Sequence, residues 1–201
     1  WNQNAQEDTY GYVIYVRNAA GSIVELDQVL GISTTSYTYS PDVTIGPLTY
    51  SVAAFDSCFT TSTPPVNQTS AKADVHTTSF LSRSLDICNR TVRLNWTGYI
   101  GWAAIDHYEI YSKNDLGVWV LEGTTSGTSF TIDVMDALNY DFVIQVYSSN
   151  GAISFSNKVS IFISAPNQPS YNYVRVATVN DKEIHLRLQI DATDNIPAVS
   201  I

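Results

Sequence analysis

Charge is scarce in this chain. Asp, Glu, Lys and Arg make up only 14% of its 201 residues, where a soluble domain carries about a quarter. No apolar run approaches the roughly 18 residues that cross a bilayer as a helix, so no membrane span is expected. Basic residues number 10 against 19 acidic ones, for a net charge of −9. With no Lys/Arg cluster to offset that balance, a polyanion such as nucleic acid is repelled overall. The dispersed acids read as a solubilising surface. No phosphate loop, dinucleotide fingerprint or nucleophile elbow occurs. Two cysteines without a C-x-x-C pair are too few for a zinc site. Neither a metal nor an organic cofactor is therefore expected.

What is plentiful is apolar and aromatic: hydrophobic residues make up 44%, with 13 tyrosines among them. Tyrosine, with many Ser and Thr, favours strands. The stretch NYDFVIQVYSSNG (139–151) places a bulky side chain at every second position from Tyr140 to Val146 and then stops at a turn. That period belongs to a half-buried strand. LTYSVAAFD (48–56) does the same with Leu48, Tyr50, Val52 and Ala54, and Leu48 to Tyr140 is 92 residues. TVRLNW (91–96) alternates Val92, Leu94 and Trp96, and KEIHLRL (182–188) alternates Ile184, Leu186 and Leu188. Trp96 to Leu188 is again 92 residues, and Trp1 to Trp96 is 95. Ile14-Tyr15 follows Trp1 at about the offset at which Ile110-Tyr111 follows Trp96, and TTSYTYS (34–40) matches TSFTIDV (128–134).

A unit of about 92 residues thus occurs nearly twice, and a third begins near residue 169. Short alternating runs broken by Gly, Asn, Asp, Ser and Pro are the pattern of an antiparallel β-sandwich, which needs roughly 100 residues. The expected organisation is one unit over 1–75, a second over 76–164, and a linker with the start of a third over 165–201. APNQP (165–169) would be a semi-rigid connector. TSTPPVNQTSAKAD (61–74) reads as the loose end of the first unit, and VMDALN (134–139) as a short inter-sheet connection. A chain that starts at Trp1 and stops at Ile201 in mid-pattern is expected to be a fragment or a processed form.

Candidate chemistry is thin. His76, His107 and His185 occupy no common position of the unit, and read as a junction residue, a strand start and an exposed strand face. The pairs Asp106 with Glu109 and Asp133 with Asp136 lack any sign of the cleft that paired carboxylates need. DATDN (191–195) lacks the glycine and terminal Glu of a helix-loop calcium site. Asn67, Asn89 and Asn95 head Asn-x-Ser/Thr triplets, which matter only in a glycosylating host. WTGYIGW (96–102) is the one aromatic cluster with binding potential. Trp96 reads as core and Trp119 as packed beneath the fourth strand. Trp102, with Tyr99, is the best candidate for an exposed stacking surface. Cys58 and Cys88 sit in Asp-x-Cys phrases, FDSC and LDIC. They are two free thiols or one disulfide. Their strand-to-loop placement favours the disulfide, which would contribute about 3–4 kcal/mol on the chain-entropy model and imply an oxidising compartment.

With Trp96 on its second strand, Tyr108 and Ile110 on its third, Tyr140-x-Phe142-x-Ile144-x-Val146 on its sixth and Val159-x-Ile161 on its last, the second unit resembles fibronectin type III domains. The resemblance implies an all-β chain of tandem fibronectin type III-like, immunoglobulin-like sandwiches. Those residues would then form the core, and Tyr140 would act as a corner residue bonded to nearby backbone. The first unit departs from the pattern, with Leu48 at the corner position. The phrases YSVAAFDSC, HTTSFLSRSLDIC, LNWTGYIGW and HYEIY also resemble tandem modules of large surface proteins of Bacteroidetes, of the gliding-motility or type IX secretion cargo kind. That resemblance implies an extracellular location and a Cys58–Cys88 staple between the first two units. The function expected is a non-catalytic spacer or adhesion array whose partners are its neighbouring domains. Rival expectations are a module that binds a cell-surface protein or glycan through Trp102 and Tyr99, and an accessory segment of a larger secreted enzyme.

Overall fold

The structure is a computed structural model and describes residues 1–59, 67–135, 138–164, 172–181 and 183–190. Among the described residues there is no helix. Thr9–Arg17 (β1), Ile23–Leu30 (β2), Thr49–Phe59 (β3), Asn67–Thr69 (β4) and His76–Thr77 (β5) form one antiparallel sheet in the order β2-β1-β3-β4, with β5 also on β3. The next eight strands are Leu81–Asp86 (β6), Thr91–Trp96 (β7), Ile105–Asn114 (β8), Trp119–Thr125 (β9), Ser129–Asp133 (β10), Asn139–Ser148 (β11), Ile153–Phe155 (β12) and Val159–Phe162 (β13). They make two sheets, β10-β7-β6 and β12-β11-β8-β9, with β13 on β11. Asn172–Asn180 (β14) and Glu183–Ile190 (β15) form a separate hairpin.

The two sheets of the second unit face each other over one core. Strand alternation puts every second side chain on the facing side. Val92, Leu94, Ile110, Phe142, Ile144 and Val146 are 0% exposed as a result. Each such side chain contributes roughly 1.5–3 kcal/mol by leaving water. Trp96 leans on Tyr108 with ring centroids 5.5 Å apart. Asn157 closes one edge between the sheets, accepting from the Leu81 N–H at 2.7 Å and donating to the Leu81 carbonyl at 3.0 Å. Strand order and facing sheets are those of a fibronectin type III sandwich, and the chain is an all-β tandem of such units. Tyr140 is buried, and its hydroxyl accepts the Met135 N–H at 3.1 Å, which is the corner contact expected of it.

The first sheet repeats the register of the second unit. Ile14 pairs with Val52 as Ile110 pairs with Ile144, and Tyr12 with Ala54 as Tyr108 with Val146. Trp1 meets Tyr12 at 5.4 Å and 55°, close to the 5.5 Å and 58° of Trp96 on Tyr108. Three expectations differ. Residues 34–40 form no strand, whereas the matching Ser129–Asp133 is β10. β10 pairs along β7, and no described strand offers the first unit that edge. Tyr50, Val52 and Ala54 are only half-buried, while the opposite face of β3 is sealed at Thr49, Ser51, Ala53 and Phe55. Ser51 and Ala53 are small enough for chain to lie close above them: Ser51 donates to the Ala73 carbonyl at 2.6 Å. Trp119 does not pack beneath its strand. It is 41% exposed at the sheet edge, near the Lys113 ammonium. The described residues within 134–139 form no helix; Asp136, APNQP (165–169) and DATDN (191–195) lie outside the described residues.

Tyr140→Phe removes the hydroxyl that accepts the Met135 N–H. We expect it to cost about 1 kcal/mol in urea denaturation, with unchanged slope. An unchanged midpoint would show that the corner hydroxyl does not contribute.

Candidate functional site

The sequence pointed to the loop 97–104, and the structure puts that loop against the first sheet. Thr77 of β5 exchanges both backbone hydrogen bonds with Ile100, at 2.9 and 3.1 Å. Thr78 and Leu48 bond likewise: the Thr78 N–H reaches the Leu48 carbonyl at 2.9 Å, and the Leu48 N–H reaches the Thr78 hydroxyl at 3.0 Å. Thr49 and Thr77 hydroxyls meet at 2.9 Å. His76 therefore belongs to β5, and its Nδ1 shares a hydrogen bond of 2.8 Å with the Tyr99 hydroxyl. Tyr99 in turn stacks on Trp102 at 3.9 Å and 24°. Both rings are half-buried and packed on the core of the second unit. The stacking surface expected at Trp102 and Tyr99 is thus turned inward, because the loop folds back over the sandwich end to meet β5.

Gly101 makes that contact possible. Its φ of +115° suits glycine, and a Cβ there would lie 2.7 Å from His76 Nδ1 and 2.8 Å from the Val75 carbonyl oxygen.

The expected Cys58–Cys88 disulfide is not formed: both cysteines are free and exposed. The reason is directional. The seam joins the start of β3 to β5, and Cys58 lies nine residues beyond Thr49, about 30 Å along an extended strand. Cys88 lies past the end of β6, which also leads away from the seam. A disulfide needs Cα atoms within about 7 Å. The Asp-x-Cys phrases have another use. Asp56 Oδ1 accepts the Cys58 N–H at 2.9 Å, and Asp86 Oδ1 accepts those of Cys88 and Asn89 at 3.1 and 3.0 Å. Asp86 folds the chain over itself where β6 ends, while Asp56 makes its bond within β3, where the pairing with β4 is irregular. The Asn89 backbone and side-chain N–H groups, and then the Cys88 N–H, hold the Asp86 carboxyl below its usual range.

A second cluster escaped the sequence reading. On the outer face of β8 and β11, Glu109 Oε2 accepts from the Tyr111 and Tyr147 hydroxyls at 2.7 and 2.8 Å. His107 stacks on Tyr147 at 4.5 Å and 13°, and its Nδ1 lies 2.8 Å from Asp106 Oδ2. Asp106 and Glu109 therefore do not pair with each other. The Tyr111 bond holds the Glu109 carboxyl below its usual range, and the same bond pushes the Tyr111 hydroxyl up to about 12. The signal was present: these residues are the odd members of an alternation whose even members, Tyr108 and Ile110, are core. Around the cluster, Trp119, Leu121, Ile153 and Phe155 are exposed. His185 is exposed beside Glu183, as expected of an outer strand face. No group of three His, Cys, Asp or Glu suited to a metal occurs among the described residues.

No family model matches the chain, and no curated protein matches it. Solved structures similar to it include pectate lyase PelI of Erwinia chrysanthemi, at 20% identity and a TM-score of 0.37, over 41% of this chain and 28% of that one. A human fibronectin type III domain, the sixth of fibronectin type III domain containing protein 3, is 19% identical with a TM-score of 0.40, over 46% of this chain and 88% of that one. A two-domain fibronectin type III segment of chicken tenascin is 14% identical with a TM-score of 0.33, over 82% and 89%. The chain thus spans little more than a quarter of the lyase and most of the other two. Likenesses this distant carry no argument about activity, and the fold assignment rests on strand order and register.

Two outcomes are expected. Native protein without reductant should give two equivalents of thiol with a chromogenic reagent, whereas a bonded pair would give none until reduced. In alkaline titration followed by tyrosinate absorbance, one tyrosine should ionise near pH 12 and return toward pH 10 in Glu109→Gln. The raised Tyr111 value means the contribution is intact below pH 10 and lost as pH climbs through 12. The lowered Glu109 value makes the carboxylate's contribution present above its unfolded value and lost as pH falls through the folded one. Identical alkaline curves for the two proteins would refute the Tyr111–Glu109 bond.

Proposed function

We propose that this chain is a non-catalytic extracellular spacer or adhesion array, whose units are held in fixed relation by the seam around Thr77 and Ile100. The proposed units are those read from the sequence, 1–75, 76–164 and 165–201, with His76 and Thr77 serving both of the first two. The observation that carries the reading is the seam itself. Two residues of β5 bond at once to β3 and to the loop after β7, so the connection is made of paired backbone rather than loose linker. A chain built to hold distance needs such joints, whereas mobile tandem domains meet through small polar contacts. The partners in this reading are neighbouring domains of the same chain. Placement at a bacterial outer surface, among Bacteroidetes modules, belongs to the proposal and is supported by the phrases within residues 50–190.

The test is small-angle scattering on wild type and Gly101→Ala. Alanine at Gly101 is strained at its positive φ and collides with His76 and the Val75 carbonyl oxygen; such a substitution costs more than about 1 kcal/mol. Wild type should fit a single conformer with one maximum dimension, and the variant should need a broad ensemble. A wild-type profile that already requires an ensemble would end the rigid-spacer reading.

A further inference from the structure

At the end of the first sheet away from the seam, residues 4–9, 54–56 and 68–70 line a crevice of about 350 Å³. Two breaks in strand register flank it. β1 shifts against β3 between Thr9 and Gly11, and β3 shifts against β4 between Phe55 and Phe59. Such irregularities re-aim side chains and recur beside binding sites. One set of polar groups holds the walls. Asn4 Nδ2 donates to the Thr9 hydroxyl at 2.9 Å, and the Thr9 N–H to the Gln6 carbonyl at 3.2 Å. The Ser70 hydroxyl accepts the Ala54 N–H at 3.1 Å, and the Ser70 N–H reaches the Ala54 carbonyl at 2.8 Å. A second set holds nothing. The exposed side chains of Gln6, Asp8 and Gln68 make no hydrogen bond among the described residues, and neither does Asp56 Oδ2.

The lining selects a class of ligand. Ala54 and Phe55 alone supply apolar side chains, and Phe55 is 2% exposed, so an apolar ligand gains little. Two carboxylates with no basic residue among the described lining repel an anion. Carboxylates only accept hydrogen bonds, whereas carboxamides and hydroxyls both donate and accept. An ammonium group only donates, and would leave the Gln6 and Gln68 N–H groups without acceptors. A hydroxyl does both, and two adjacent hydroxyls reach the two oxygens of one carboxylate. The volume is that of about a dozen waters at roughly 30 Å³ each, room for one ring of about a dozen non-hydrogen atoms. We infer that this crevice binds a single neutral sugar residue, with Asp8 and Asp56 accepting from its hydroxyls and Gln6 and Gln68 bonding to others. The site goes beyond the spacer reading and uses none of the seam contacts.

The test is heteronuclear amide NMR on the full chain, titrated separately with glucose, galactose and mannose from about 0.1 mM to about 100 mM, the range expected of so small a ligand. Methylammonium and acetate serve as cation and anion probes over the same range. At least one sugar should shift the amides of residues 4–9, 54–56 and 68–70 with saturation, and neither ion should do so. Asp8→Ala with Gln68→Ala removes two exposed side chains that support no other group, so the rest of the spectrum should be kept while sugar affinity falls about tenfold or more. Silence with all three sugars overturns the proposal. So does saturation by methylammonium at lower concentration than by any sugar, which would make this a cation site. Sugar binding that is undiminished in the double variant, or that shifts Tyr99 and Trp102 instead, overturns it as well.

Discussion

The antiparallel pairing of β8 with β11 sets Ile110 opposite Ile144, and the second unit depends on that register. A slip of β11 by one residue would turn Tyr140, Phe142, Ile144 and Val146 to water and bring Tyr147 inside. With four large side chains at roughly 1.5–3 kcal/mol each, no alternative register competes. The facing β10-β7-β6 sheet then has one way to pack, with Val92, Leu94 and Trp96 inward. The same register in β1 and β3 shows that the repeat is structural as well as sequential, down to the tilt of Trp1 on Tyr12.

The polar groups follow from this frame. Side chains left on the outer face cannot contribute through burial, so they bond to one another, and Glu109 gathers two tyrosine hydroxyls and lies near His107. At the sandwich end, the loop after β7 must return to β8 across an opening. It does so by lending Ile100 to β5 and Tyr99 to His76. Junction and core are thereby continuous, since Tyr99 and Trp102 pack on core residues and Tyr99 also touches His76 of β5.

Architecture was legible because period-two alternation is a local property that survives without knowledge of partners. Trp96, Ile110 and the Tyr140 to Val146 series could be placed by it, and Tyr140 found the corner contact. What failed depended on which surface comes near. Trp102 and Tyr99 looked free because nothing local announces that β5 lies against their loop. Cys58 and Cys88 looked paired because a shared Asp-x-Cys phrase was taken for a shared bond, when each aspartate bonds the backbone of its own cysteine. Trp119 looked like core because an edge strand differs from a central one only in having no neighbour beyond it. Residues 34–40 match β10 in pattern, but among the described residues no strand stands beside them as β7 stands beside β10.

The most direct measurement is amide hydrogen exchange at the seam, resolved by residue. The Thr77, Thr78 and Ile100 N–H groups are bonded across it at 2.9, 2.9 and 3.1 Å. They should be protected to a degree comparable with the paired amides of β8 and β11, because seam and core open together. Exchange at those three positions near the rate of an unstructured peptide, while β8 and β11 stay protected, would contradict a rigid joint between the units.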